Sequence, residues 1–160
     1  MVDLVHVSVA GQLGAADPAA GAPGVAVRLV DPGALFLASP APPDLAPNER
    51  RGAGPQWLWL APDRALRIGA GAPPDGFVSD VSDGWATFEI AGPRAAEMVA
   101  MGCTLDPPGP VLAPGRCAQT VFAGVKVVIY AHGAAFRLHV ERSLAACLLE
   151  WFTQAASALL

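Results

Sequence analysis

Charge is scarce in this chain. Asp, Glu, Lys and Arg make up 15% of its 160 residues, against a usual share of about 25%, and the net charge is -4. Affinity for nucleic acid rests on clustered Lys and Arg. The only tight basic pair, Arg50-Arg51, sits in a Pro/Gly-rich stretch and reads as solvated loop, so a nucleic-acid partner is excluded. Long apolar runs are also missing. No run approaches the roughly 18 residues needed to span a bilayer, and MVDLVHVSVAG has neither a basic n-region nor an unbroken apolar core of signal-peptide type. The reading is a cytoplasmic protein with no membrane partner.

Cysteine is sparse and odd in number. Cys103, Cys117 and Cys147 have no CxxC spacing, which points away from a disulfide framework and a tetrahedral zinc site. They read as free, packed thiols. His6, His132 and His139 are scattered without metal-ligand spacing and read as structural or solvated. The chain has no GxSxG elbow, no GxGxxG after a strand, no GxxxxGK[ST] and no HExxH. Nucleophilic, dinucleotide, phosphate-cradling and zinc-hydrolase chemistry all lack their apparatus. No catalytic, cofactor-binding or metal-binding residue is expected.

What is abundant is apolar side chain, 53% of the total. Alanine accounts for part of this, since it hides little area and tolerates exposure; a partner protein covering an apolar face would account for it equally. At this length the chain is one compact unit or two intimately packed halves.

The two halves differ in texture. In the first, the short apolar runs DLVHVSVA (3–10), GVAVRLV (24–30) and QWLWLA (56–61) read as strands. The Ala/Pro/Gly-dense segments 14–24 and 39–55 between them read as loops. GAGAPPDG at 69–76 is the expected boundary, giving a strand-rich N-terminal half, 1–76, and a C-terminal half, 77–160.

In the second half the pattern is regular. Ala86, Phe88 and Ile90 alternate with Trp85, Thr87 and Glu89, the period of a strand with one buried face. The segment 92–102 predicts a short helix, with Pro93 at its first position, Ala96, Val99 and Ala100 on one face and Gly102 as left-handed cap. Strands 117–122 and 125–131 are joined by Ala123-Gly124 as a hairpin. In AFRLHVE (135–141), Phe136, Leu138 and Val140 point inward and Arg137, His139 and Glu141 outward. Ser143 is placed to cap a last helix with the stripe Leu144, Cys147, Leu148, Trp151, Phe152 and Ala155. The order is β-α-β-β-β-α, an α+β layer with helices on one face.

That order carries particular words. VSDGWATFEIAGP (81–93), GCTLDP (102–107), PGRCAQT (114–120) and FRLHVERS (136–143), with WLWLAPDR (57–64) upstream, together resemble the gamma subunit of heterotetrameric sarcosine oxidase over about 100 residues. The gamma subunit in turn resembles the folate-binding domain of the glycine-cleavage aminomethyltransferase. The resemblance implies an α+β fold of two small ferredoxin-like-type halves. It further implies a non-catalytic role, stabilising a large alpha subunit in a complex with alpha, beta and delta subunits. That assembly, which demethylates sarcosine or a related N-methyl amine oxidatively, would hold FAD, FMN, NAD and tetrahydrofolate outside this chain. Where the wider family has an aspartate for folate chemistry, at the start of the strand after the hairpin turn, this chain has Val125 and Lys126; neither can do a carboxylate's work. It also departs between Leu66 and Phe77, where Pro73-Pro74 forbids the helix for which the family has room.

Three residues stand out as partner-interface candidates. Trp57 and Trp59 share a strand face and Trp151 lies on a helical stripe, so these read as core. Trp85 lies opposite the buried set of its strand and reads as an exposed anchor. Arg116 and Gln119, in the most family-like segment, are the polar candidates beside it; anchoring of the local loop would explain them equally. Asp80 and Asp83 read as turn-stabilising acids, and Cys103, at the wrong end of a helix dipole for a thiolate, as a packed thiol. The alternatives are a free-standing tetrahydrofolate-binding or aminomethyltransferase-like enzyme, an iron-sulfur assembly factor of the same fold, or a small-molecule-binding module.

Overall fold

In the computed structural model, residues 24–159 are described; the strand expected at 3–10 and His6 lie outside them. Among the described residues ten strands and two α-helices follow in order: β1 Ala26–Val30, β2 Leu35–Ser39, β3 Arg50–Arg51, β4 Gln56–Ala61, β5 Arg64–Ile68, β6 Phe77–Asp80, β7 Trp85–Ala91, α1 Ala95–Gly102, β8 Cys117–Phe122, β9 Val125–His132, β10 Ala135–Glu141 and α2 Ala145–Ala158. The fold is α+β, and β7 to α2 follow the expected β-α-β-β-β-α order, with β6 ahead of them an additional strand.

The strands form two antiparallel five-stranded sheets, β1-β7-β10-β9-β8 and β3-β4-β5-β2-β6. Strands on either side of position 76 are exchanged between the two sheets. β1 pairs with β7, Val27 opposite Ile90, while β6 pairs with β2, Phe36 opposite Asp80.

The helices cover one face of the first sheet. Ala86, Phe88 and Ile90 of β7, Val127 and Ile129 of β9, and Leu138 and Val140 of β10 pack there against Met98, Val99, Leu148 and Phe152. Phe152 lies with its ring centroid 5.3 Å from Phe88 and 5.6 Å from Phe122. Burial of such aromatics supplies a large share of core energy.

The other face of this sheet is not open, contrary to the one-faced alternation. The second sheet packs on it, and Leu35, Leu58, Leu66 and Ile68 meet Cys117, Val128 and Tyr130 across the gap. Thr87 and His139, expected outward, are buried. A period of two says which side chains share a face, not what covers that face.

Several local expectations give way to packing. α1 begins at Ala95, not Pro93, because the Arg94 amide donates to Gly24 O (2.8 Å) and the Ala95 amide closes a turn on Gly92 O (3.0 Å). Its buried side is Ala95, Met98 and Val99. Gly102 ends the helix without a left-handed φ. It is needed because the Phe122 ring occupies the place of a Cβ. α2 follows a 3-10 turn at Arg142–Leu144 with Leu144 at its N-cap and no side-chain cap, so Ser143 does not cap it; Cys147 is exposed rather than packed. Trp57 and Trp59 are half-buried on the outer face of the second sheet, against Ala41, Leu45 and Ala65, while Leu58 takes the core position. Arg50 and Arg51 are strand residues paired with Leu58 and Trp57, not solvated loop.

Candidate functional site

The polar side chains between the two sheets form a connected set. Thr87 and His139 are cross-strand partners, as are His139 and Val128. Thr87 Oγ1 and His139 Nδ1 lie 2.8 Å apart, and His139 Nε2 is 3.3 Å from the Tyr130 hydroxyl. The His139 and Tyr130 rings stack at 5.5 Å. Arg50 reaches over Tyr130, its guanidinium carbon 5.2 Å from the ring centre, and its Nη1 donates to Gln56 Oε1 at 3.1 Å. Beside them Arg137 Nε donates to Glu89 Oε2 at 3.0 Å.

Burial keeps the titratable members uncharged. It pushes His139 down to about 3, with the Arg137 charge acting in the same direction, and pushes Tyr130 up. Cys117, whose thiol donates to Glu49 O at 3.3 Å, is pushed up to about 11, again by burial. A general base must titrate near working pH and a nucleophilic cysteine must ionise. Burial works against both roles at His139 and Cys117, and the set joins the sheets.

Two concavities open at the ends of this interface. A cleft of about 360 Å³ is lined by Asp31, Asp80, Asp83, Trp85, Thr87 and Arg142 among others. Its acids have structural work: Asp80 Oδ1 accepts from the Ser82 amide (3.0 Å) and hydroxyl (2.6 Å), and Ser82 Oγ accepts from the Leu35 amide (2.9 Å). Arg142 donates to Asp83 O at 3.4 Å and lies 4.0 Å from its carboxylate. Asp80 stabilises the turn that leads into β7, as the sequence suggested, whereas Asp83 meets Arg142. The second concavity, a groove of about 520 Å³, is lined by Trp85, Gln119, Val121, Lys126, Val128 and Glu141 among others.

Trp85 is half-buried. It packs against the cluster of Leu35, Leu58 and Leu66 rather than standing free on a sheet face. Gln119 is exposed on β8 beside it, and its amide donates to Leu60 O at 2.6 Å, tying the two sheets together. The structure thus brings Trp85 and Gln119 to one groove. Arg116 is exposed outside that groove, in an isolated bridge with Glu49. Val125 is half-buried and Lys126 exposed at the start of β9.

One polar residue was not singled out in the sequence. Arg67, in the middle of β5, is only 6% exposed. The signal was an arginine flanked by Leu and Ile in RALRI, where charge breaks the apolar run and disguises a buried strand. Among the described residues no group of three or more His, Cys, Asp or Glu is placed to hold a metal ion, and no helix is long and apolar enough to cross a membrane.

No protein-family model matches this sequence, and no curated protein matches it. Among solved structures, it is similar to a chain of "Heterotetrameric Sarcosine Oxidase from Corynebacterium sp. U-96 in complex with pyrrole 2-carboxylate". The TM-score is 0.77 at 23% identity, over 95% of each chain. At that identity the likeness establishes a shared fold. The resemblance read from the words between 57 and 143 therefore meets an independent one in three dimensions: this chain has the fold of a chain of heterotetrameric sarcosine oxidase.

Proposed function

We propose that this chain is the gamma-type subunit of a heterotetrameric sarcosine oxidase-like complex, and that it stabilises a large alpha subunit without chemistry of its own. The observation that carries the reading is the fold likeness over 95% of both chains, which makes the matched chain one of nearly this length. The four sequence words at 81–93, 102–107, 114–120 and 136–143 support it. The finer fold belongs to the same reading, two ferredoxin-like-type halves descended from a folate-binding domain, 1–76 and 77–160.

In this reading the alpha and beta subunits hold the FAD, FMN, NAD and tetrahydrofolate beside a delta subunit, and the assembly demethylates sarcosine or a related N-methyl amine in the cytoplasm. The uncharged state of His139, Tyr130 and Cys117 and the Val125-Lys126 pair at the folate position speak against independent turnover here. The groove of Trp85 and Gln119, with Arg116 nearby in sequence, is the interface we assign to a partner.

Co-expression with the alpha and beta subunits of a sarcosine oxidase-type complex tests the proposal. The expected result is co-purification of this chain in a fixed ratio, and poor solubility or self-association when it is made alone. A monodisperse chain that ignores those subunits and binds tetrahydrofolate would instead favour a free-standing folate-binding protein.

A further inference from the structure

Arg67 lies on the outer face of the second sheet, away from the groove of Trp85. Its cross-strand neighbours are Phe36 on β2 and Trp57 on β4. Its guanidinium carbon sits 5.7 Å from the Phe36 ring centre, and Nη2 donates to Ala70 O at 3.1 Å. Nη1 is buried and has no hydrogen-bond partner among the described residues. A buried guanidinium with an unmet donor and no counter-ion is costly, because desolvation is not offset. The aromatic face offsets only part of this.

The acids that share this face serve other groups. Asp80, next to Phe36 across β6, accepts from Ser82; Asp44 and Glu49 pair with Arg51 at 2.7 and 2.8 Å. No carboxylate of the described residues pairs with Arg67. The other buried donor without a partner, Arg50 Nε, differs, because that guanidinium already bonds Gln56 and rests on Tyr130.

The cover over Arg67 is thin. It is the segment 69–76, whose residues 70–73 are exposed and whose Gly69, Gly71 and Gly76 have φ of 113°, 116° and 104°. A Cβ on Gly71 would come within 2.9 Å of Arg67 Nη2, so the backbone crosses directly above the charge. Half-buried Trp57 and Trp59 adjoin the same face. An arginine fork framed by aromatics and missing its anion has the composition of an interface hot spot.

We infer that Arg67 is a socket for an acidic side chain of a partner subunit, which reaches the guanidinium when the 69–76 segment yields. The inference rests on the reading of this chain as a subunit of a larger assembly. A carboxylate would accept from Nη1 and Nη2 together, and Trp57 and Trp59 would flank the contact. The partner's carboxylate would supply the counter-charge that the described residues do not.

The test uses the full chain with its alpha and beta subunits. Assembly of the wild type is measured first; its failure rejects the subunit reading itself. Given assembly, Arg67→Met is expected to weaken it roughly 30-fold or more, as loss of one member of a buried charge pair does. The same variant alone is expected to melt higher by about 3 °C or more, since an apolar side chain replaces an uncompensated charge. Arg67→Lys keeps the charge without the fork and falls between. Independently of any variant, amide exchange of residues 69–76 in the wild type should slow in the complex. Unchanged assembly of Arg67→Met, a lower melting temperature, or unchanged exchange overturns the inference. So does stabilisation of the wild type, but not Arg67→Met, by sodium acetate over sodium chloride at equal ionic strength with assembly unaffected, which identifies a free small carboxylate as the occupant.

Discussion

Thr87 and His139 face each other across β7 and β10 and share a 2.8 Å hydrogen bond where neither meets solvent. The bond positions the imidazole between a hydroxyl on one nitrogen and the Tyr130 phenol on the other, while burial holds it neutral. It also closes the first sheet's second face with polar groups that satisfy one another, a requirement for any buried network.

Stability should therefore depend on pH through His139. In the folded chain burial holds it at about 3, against 6.5 for an ordinary histidine. Between those values the unfolded chain binds more protons, so stability rises with pH. The contribution is complete above about pH 6.5 and is lost as pH falls toward about 3, with a slope approaching 1.4 kcal/mol per pH unit. His132, also shifted downward by burial, adds in the same direction but is half exposed. Urea unfolding between pH 7 and 5, above the range where carboxylates dominate, measures the slope. His139→Gln should flatten it; an unchanged slope would refute the assignment.

Gly102 is expected to resist substitution although it sits in a helix. Ala for Gly in an exposed helix interior stabilises by about 1 kcal/mol. Here the new Cβ meets the Phe122 ring, which is held by Trp151 at 5.1 Å and Phe152 at 5.6 Å. Overpacking of that kind costs about 1–3 kcal/mol. Gly102→Ala should lower the urea midpoint; a stabilised variant would mean that the aromatic cluster yields.

The second half was legible because strands β7, β9 and β10 each present an unbroken apolar alternation on the helix-facing side, and in β8 only Thr120 interrupts it between Ala118 and Phe122. The hairpin turn and the last helix follow from the same patterns. Ahead of β7, strands β2, β5 and β6 escaped notice. LFLAS, RALRI and FVSD are short, and arginine or serine interrupts them where the second sheet's outer face begins. Of the interface candidates, Trp85 and Gln119 meet because β7 and β8 both border the second sheet. Their closeness depends on sheet-on-sheet packing, which no local period encodes. Arg67 was hidden for the same reason: its burial comes from a covering segment, not from its own strand.

The β8–β9 turn offers a stabilising change. Ala123 and Gly124 have φ of 49° and 85°, both left-handed, as a two-residue turn between twisted strands requires. Gly tolerates this freely, whereas Ala carries a cost of about 1 kcal/mol. Asn is better suited to that region. Ala123→Asn is expected to raise the melting temperature by about 2–4 °C. A lower value would show that the contact of Ala123 with the adjoining core outweighs the turn.

The three thiols should separate cleanly by reactivity, since the thiolate is the reacting species and access limits it further. Cys147 is exposed on α2 and should react fast with a disulfide reagent in the native chain. Cys103 is half-buried, raised by desolvation, and its thiol donates to Val99 O at 3.5 Å, so it should follow slowly. Cys117, raised to about 11 between the sheets, should react only when they part. One fast equivalent out of three is the expected native result. Cys147→Ser should abolish it, and urea should release the last equivalent together with the loss of the sheet–sheet core. Labelling of Cys117 at the native rate of Cys147 would mean that the second sheet detaches in solution, and with it the connected network that makes His139 inert.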